Sequence, residues 1–204
     1  MPALAERLEL AEITLGALGR SAQLPAKIGV QPRQPGSLAQ AMPALLRGAE
    51  ADGGADLIGI KWIVGFPENP AHGLPTYSAL VILNDGRNGL PLAVMDAGAI
   101  TAQRTAAVSG VAIKLFAAEV RARPAAVAVL GAGVQAYGHL PVIGRLLPGA
   151  SVRITDVDGA RAETLAVEAR ATEGIGDVAV STGVREAVEG ADIVVSVVSF
   201  GPAM

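Results

Sequence analysis

The stretch Val127-Ala-Val-Leu-Gly131-Ala-Gly133-Val-Gln-Ala136 constrains this chain more than any other. An apolar run of strand character passes into a glycine turn, and the turn opens a helix. Gly131 permits the tight turn, Gly133 lets another group approach the backbone, and Ala136 keeps the helix close to the strand. Such a helix start offers N–H donors and a partial positive charge, which suit the pyrophosphate of a dinucleotide. A glycine pattern alone is weak. Here the next strand ends in Ile154-Thr155-Asp156, so that an acid stands about 25 positions after Gly131. A carboxylate at that point accepts bonds from ribose hydroxyls and repels a 2′-phosphate, so Asp156 predicts NAD rather than NADP. The competing explanation is an ordinary βα turn with incidental glycines; strand, turn and acid together outweigh it.

The region around this turn alternates regularly. Strands are expected at 126–130, 151–155, 177–181 and 192–198, with helices at 134–147, 159–173 and 184–190. That order predicts a doubly wound parallel sheet. Upstream the pattern differs. Leu4, Leu8, Ala11, Leu15 and Leu18 recur at helical spacing within residues 3–20. Residues 25–37, with Pro25, Pro32, Pro35 and Gly36, read as a loop holding at most a short strand. Residues 38–47 are undetermined, with 41–44 as a candidate strand end. Strands at 55–66, 77–83 and 90–95, joined by a long turn at 67–76 and a hairpin turn at 84–89, form a β-meander. A helix capped by Thr101 runs to about Val120, and its small apolar residues predict burial on most sides. Arg121-Ala-Arg123-Pro124 ends it. The fold class is therefore α/β: an N-terminal α+β domain over 1–123, then a partial Rossmann domain over 124–204.

Composition narrows the function. Hydrophobic residues make up 51% but aromatics only 3%, so the core must rest on Ala, Val, Leu and Ile. The net charge is −3 and no basic run is present, which argues against nucleic acid and anionic membrane surfaces as partners. There is no cysteine, and His72 and His139 lie far apart, so no metal site is expected. No apolar run reaches the roughly 18 residues of a membrane span. The N-terminus carries Glu6, Arg7 and Glu9 and does not resemble a signal peptide. A cytoplasmic protein is expected.

Two cations are oddly placed. Lys61, one of three lysines, sits inside the apolar run Ile58-Gly-Ile-Lys-Trp-Ile-Val. A buried unpaired ammonium is costly, so Lys61 is either paired or functional, or it lies on the open face of an edge strand. Arg104 falls in the first turn of the expected helix, where a cation opposes the dipole by roughly 0.3–1 kcal/mol. Gripping an anion explains that placement; a solvated surface arginine explains it as well. His72 and His139 read as ordinary surface or turn residues.

Several segments together resemble the ornithine cyclodeaminase/mu-crystallin family. They are Pro25-Ala-Lys-Ile-Gly, Ala41-Met-Pro-Ala, Gly59-Ile-Lys-Trp, Asn69-Pro-Ala-His-Gly-Leu-Pro-Thr76, Gly89-Leu-Pro-Leu-Ala-Val-Met-Asp96, Thr101-Ala-Gln-Arg-Thr-Ala-Ala107 and Leu130-Gly-Ala-Gly-Val-Gln-Ala136. The resemblance implies a first domain that binds substrate and forms a homodimer, a Rossmann domain after it, and an active site in the cleft between them. It implies hydride transfer at Cα between a small amino or imino acid and NAD, as in the cyclodeaminases, ketimine reductases and amino acid dehydrogenases. Carried over by position, Lys61 holds the substrate carboxylate and assists at the reacting centre. Arg104 binds carboxylate next to the cofactor. Lys27 stands where many members have a carboxylate-binding arginine, and it loses the bidentate geometry. Thr76 contacts cofactor; Gly131, Ala132, Gly133, Val134 and Gln135 line the pyrophosphate; Asp156 selects NAD.

Departures from the family are also expected to matter. Ser196-Val-Val198-Ser199 replaces a Thr-x-Thr pattern, which removes one cofactor hydroxyl at Val198. Family members continue well past the position of Met204 and supply there an acidic residue near the substrate amine. Three readings follow. One is an NAD-dependent oxidoreductase or cyclodeaminase, another a non-catalytic nucleotide- or ligand-binding protein of the mu-crystallin kind, and the third an inactive fragment. The fragment reading carries an expectation of poor solubility or dimer-dependent stability.

Overall fold

A meander of β-branched and leucine-rich segments builds the first sheet. The computed structural model describes Glu6, Leu8, Glu9 and residues 21–48 and 54–198. The strands are β1 (Ala22–Gln23), β2 (Ile28–Val30), β3 (Leu38–Leu46), β4 (Leu57–Gly65), β5 (Tyr77–Asp85) and β6 (Pro91–Asp96). They form an antiparallel sheet in the order β1-β3-β4-β5-β6, with β2 also paired to β3. The expected meander is therefore present as β4-β5-β6, and β3 extends it.

The segment 38–47, undetermined from sequence, is a full nine-residue strand. Pro43 hides it, because proline donates no ladder bond. In the sheet β2 covers residues 39–41 and β1 covers Leu45 and Leu46, so Pro43 falls in the gap between them.

Register decides what each face carries. Lys61 stands level with Met42 on β3 and Val81 on β5, and Val81 stands level with Met95 on β6. The neighbouring row holds Ala41, Trp62, Leu80 and Asp96 on the opposite face. β4 is paired on both sides along all nine residues. The edge-strand explanation of Lys61 is thereby overturned.

The long helix α1 spans Gly98–Phe116 and a short α2 spans Ala118–Arg121. Thr101, the cap expected from the sequence, is not the cap. Asp96 accepts the Gly98 amide at 2.9 Å, and the Ala97 carbonyl accepts the Thr101 amide at 2.9 Å. The chain thus turns helical three residues earlier, and Arg104 lies in the second turn, where the dipole is weaker. Burial is also narrower than expected. Ala102, Ala106, Ala107, Gly110, Val111 and Ile113 are buried, while Val108 and Leu115 are exposed.

The second sheet is parallel, in the order β10-β7-β8-β9. Its elements are β7 (Ala126–Leu130), α3 (Val134–Leu146), β8 (Ala150–Thr155), α4 (Gly159–Ala171), β9 (Ile175–Val180), α5 (Val184–Val188) and β10 (Ile193–Ser196). Every expected strand and helix of this region is found, with ends shifted by a residue or two at most positions. Val127, Val129, Val152 and Ile154 from the strands meet Leu140, Ile143 and Leu165 from the helices, all essentially inaccessible. Each contributes roughly 1.5–3 kcal/mol of burial. Among the described residues, one compact unit holds Glu6, Leu8, Glu9 and 102–198; the other holds 21–48 and 54–101. Contacts thus part the chain inside α1, whereas the sequence pattern changes at Arg123–Pro124. No described helix is long and apolar enough to cross a membrane.

Candidate functional site

Strand order places the site in the parallel unit. β8 and β9 lie on one side of β7 and β10 lies on the other. The chain therefore reverses direction across the sheet between β7 and β10, and their C-terminal ends flank a crevice. Gly131 follows β7 at that crevice. Its φ of 95° lies where side chains are strained, and a Cβ there would stand 3.1 Å from the Val197 carbonyl oxygen. Only glycine lets the turn pass so close to the strand on the far side.

A cavity of about 380 Å³ opens at this point. Gly131, Gly133, Asp156, Arg161, Thr182 and Val198 are among its lining residues. Ala132 lies beneath the surface at 3% exposure, whereas Val134 is exposed. Gly133, the N-cap of α3, has no side chain with which to cap the helix, so no side chain covers its first amides. The Gln135 side-chain oxygen is buried and has no hydrogen-bond partner. An orphaned buried polar atom beside an uncapped helix end fits a polar ligand. The residues present thus suit the dinucleotide that the sequence pattern implies.

Asp156 is the acid of this crevice. Its carboxylate accepts the Ala132 amide at 2.6 Å and the Asp158 amide at 2.9 Å. Partial burial opposes its charge, but those two amides and the nearby Arg161 outweigh burial and hold its pKa below the usual carboxylate value. The group is ionised at neutral pH and aimed at the turn.

Two lining residues escaped the sequence reading. Arg161, in the first turn of α4, reaches back so that its Nη2 donates to the Ala132 carbonyl at 3.4 Å. Thr182 follows β9, at the same level of the sheet as Asp156 follows β8. Counting the residues just past each parallel strand would have found Thr182. Val198 lines the cavity; Ser199 lies outside the described residues.

The remaining candidates belong to the other unit or to α1. Lys61 is partly buried, and its Nζ donates to Thr101 Oγ1 at 3.4 Å. Lys27 is exposed and immediately precedes β2, one residue before Ile28, which is level with Ala41. The sheet therefore places Lys27 at the margin of the row that holds Met42 and Lys61. Thr76 accepts the Phe66 amide through its carbonyl at 2.8 Å, leaving its side chain for other contacts. Arg104 projects an exposed side chain from α1, and desolvation of the guanidinium lowers its pKa from the usual value. His72 is exposed at the end of a 3-10 turn, Asn69–His72, as expected. His139 is not a surface residue: it is 2% exposed.

Fold and crevice together define an α/β protein with a Rossmann-type parallel sheet and a separate antiparallel sheet. Residues 3–200 match the ornithine cyclodeaminase/mu-crystallin family, and the chain belongs to it. It is 41% identical over 143 residues to alanine dehydrogenase of Archaeoglobus fulgidus, covering 70% of this chain and 40% of that protein. It is 37% identical over 145 residues to ketimine reductase mu-crystallin of Mus musculus, covering 70% and 43%. A solved structure of Thermococcus litoralis Delta(1)-pyrroline-2-carboxylate reductase, in complex with NADH and L-proline, superposes with a TM-score of 0.78. The sequence identity is 30%, over 95% of this chain and 56% of that one. The chain thus spans about half the length of the relatives it matches.

Proposed function

We propose that this chain carries the cofactor site and the carboxylate-binding lysine of an NAD-dependent oxidoreductase or cyclodeaminase acting on a small amino or imino acid. The ionised Asp156 in the switch-point crevice carries this reading, because that is where an acid accepts ribose hydroxyls and rejects a 2′-phosphate. The amides after Gly131 and Gly133 would hold the pyrophosphate, and the Gln135 oxygen would gain a donor. When bound, NAD supplies a two-electron acceptor for the hydrogen on the substrate α-carbon. The chain's own contribution is placement. Lys61 offers an ammonium from the row of the sheet that holds Met42, Val81 and Met95, and a carboxylate can pair with it. In the other unit, Arg104 on α1 is a further carboxylate-binding candidate. Lys27 extends the positive row without bidentate geometry.

Incubating the chain with NAD and a panel of amino acids tests this directly. NADH formation or ammonia release supports the enzyme. Saturable NAD binding with no turnover indicates a binding protein instead. Lys61→Met keeps the stem and removes the charge. It should weaken amino acid affinity roughly ten- to a hundredfold, the value of a charge-assisted hydrogen bond. NAD affinity should stay constant. An unchanged amino acid affinity removes Lys61 from the site.

The relatives include an alanine dehydrogenase dimer with bound NAD, and the antiparallel sheet supports the same state here. Ile58, Trp62, Leu80 and Val94 share one face and are 41–62% exposed. Such a contiguous apolar face is what a two-fold partner covers. Sedimentation should give a homodimer, and Trp62→Asp should give monomer; a wild-type chain that stays monomeric at high concentration contradicts the dimer.

A further inference from the structure

His139 is buried on the helix that follows the glycine turn, and the function described above does not use it. Its Nδ1 lies 2.7 Å from the Gln135 carbonyl oxygen and its Nε2 lies 2.9 Å from Ser109 Oγ. A carbonyl only accepts, so Nδ1 carries the proton and Nε2 holds the lone pair. Ser109 therefore donates to His139. Its alternative acceptor, the Thr105 carbonyl, is farther away at 3.4 Å. Burial lowers the His139 pKa despite the Gln135 bond, so the ring stays neutral in this tautomer.

The bond joins α3 to α1 inside an otherwise apolar contact. At one end Gly138 lies against Ala102, where a Cβ on the glycine would stand 3.2 Å from the Ala102 carbonyl oxygen. Farther along, Gly110 lies against Val142 and Leu146, at 3.0 and 3.3 Å by the same measure. Small residues bring the two helices close, but apolar contact alone tolerates sliding. One directional buried bond does not. α3 begins at the glycine turn, and α1 carries Arg104 five residues before Ser109.

We infer that His139 is a positioning residue: through Ser109 it sets where α1 lies along the cofactor helix, and so where Arg104 stands relative to the cofactor turn. This rests on the reading of Arg104 as a carboxylate-binding cation. The polar link runs from Gln135, in the first turn of α3, through His139 to the arginine helix. No part of it touches substrate.

The double variant Ser109→Ala/His139→Leu separates positioning from stability. Removing both partners leaves neither half of the Ser109–His139 bond unpaired, so the fold should be retained with little change in melting temperature. NADH affinity of the full chain should also be retained. L-proline affinity of the NADH-loaded chain should fall about tenfold, because small displacements of a binding group are expensive. His139→Gln, whose amide oxygen can accept from Ser109, should recover most of that loss. If the double variant binds L-proline as the wild type does, the positioning role is wrong while the carboxylate reading stands. If the wild-type chain binds NADH but no L-proline, the carboxylate reading has failed and takes this inference with it.

Discussion

Asp156→Asn is expected to lower the preference for NAD over NADP by roughly ten- to a hundredfold. The substitution keeps the shape of the side chain and one oxygen for the Ala132 amide. It removes the negative charge that accepts ribose hydroxyls, each such bond contributing about 1.5–3 kcal/mol, and it removes the repulsion of a 2′-phosphate. NAD should bind more weakly and NADP more tightly. Because the backbone amides and Arg161 hold the Asp156 pKa low, the wild-type affinity for NAD should be flat from about pH 5 upward, above the unperturbed carboxylate range. Equilibrium titration of wild type and variant with both cofactors measures it. An unchanged ratio means that Asp156 does not face the ribose.

The largest expected loss of stability lies far from the crevice, at Gly144. Near the end of α3 this residue touches the turn between α4 and β9 backbone to backbone, and an added Cβ would collide with the Glu173 carbonyl oxygen. The opposing Gly174 has φ of 83°, so neither side can yield easily. Gly144→Ala should cost roughly 3 kcal/mol, the upper range for overpacking a close contact. For a chain of this size that is a fall in melting temperature of roughly 6–12 °C. Gly159→Ala is the control. Nothing lies within 4 Å of its would-be Cβ, and it opens α4, so alanine there should hold or slightly raise stability. If the two variants melt alike, the close contact at Gly144 is not rigid.

The parallel unit was legible because its signals are local and agree. Each strand is a short β-branched run, each helix follows a turn residue, and Asp156 falls at a strand end. The antiparallel unit was legible only where hydrophobic runs were unbroken. Pro43 concealed β3, since whether a proline is tolerated depends on which stretches of a strand the neighbours cover, and that is a property of the assembled sheet. The start of α1 was misplaced for a related reason. Thr101 is the better cap by residue type, but the side chain of Asp96 and the carbonyl of Ala97 take the first amides. The site divides in the same way. Gly131, Gly133 and Asp156 announce themselves by spacing. Arg161 enters the crevice by folding back from the next helix, and His139 is buried by α1, about thirty residues earlier in the chain. Neither relation is written in a local pattern. Lys61 lies in between: its apolar surroundings flagged it, but only the pairing of β4 on both sides showed that it is not on an edge strand.

The central claim is that the turn after β7 is a dinucleotide site. Titrating the isotopically labelled chain with NAD and following backbone amide resonances tests it residue by residue. Saturable shifts should appear that are largest at 131–136, at Asp156 and Val157, and at Arg161 and Thr182. Saturable binding that leaves the glycine turn and Asp156 unmoved, or a folded chain that shows no shifts at all, would contradict it.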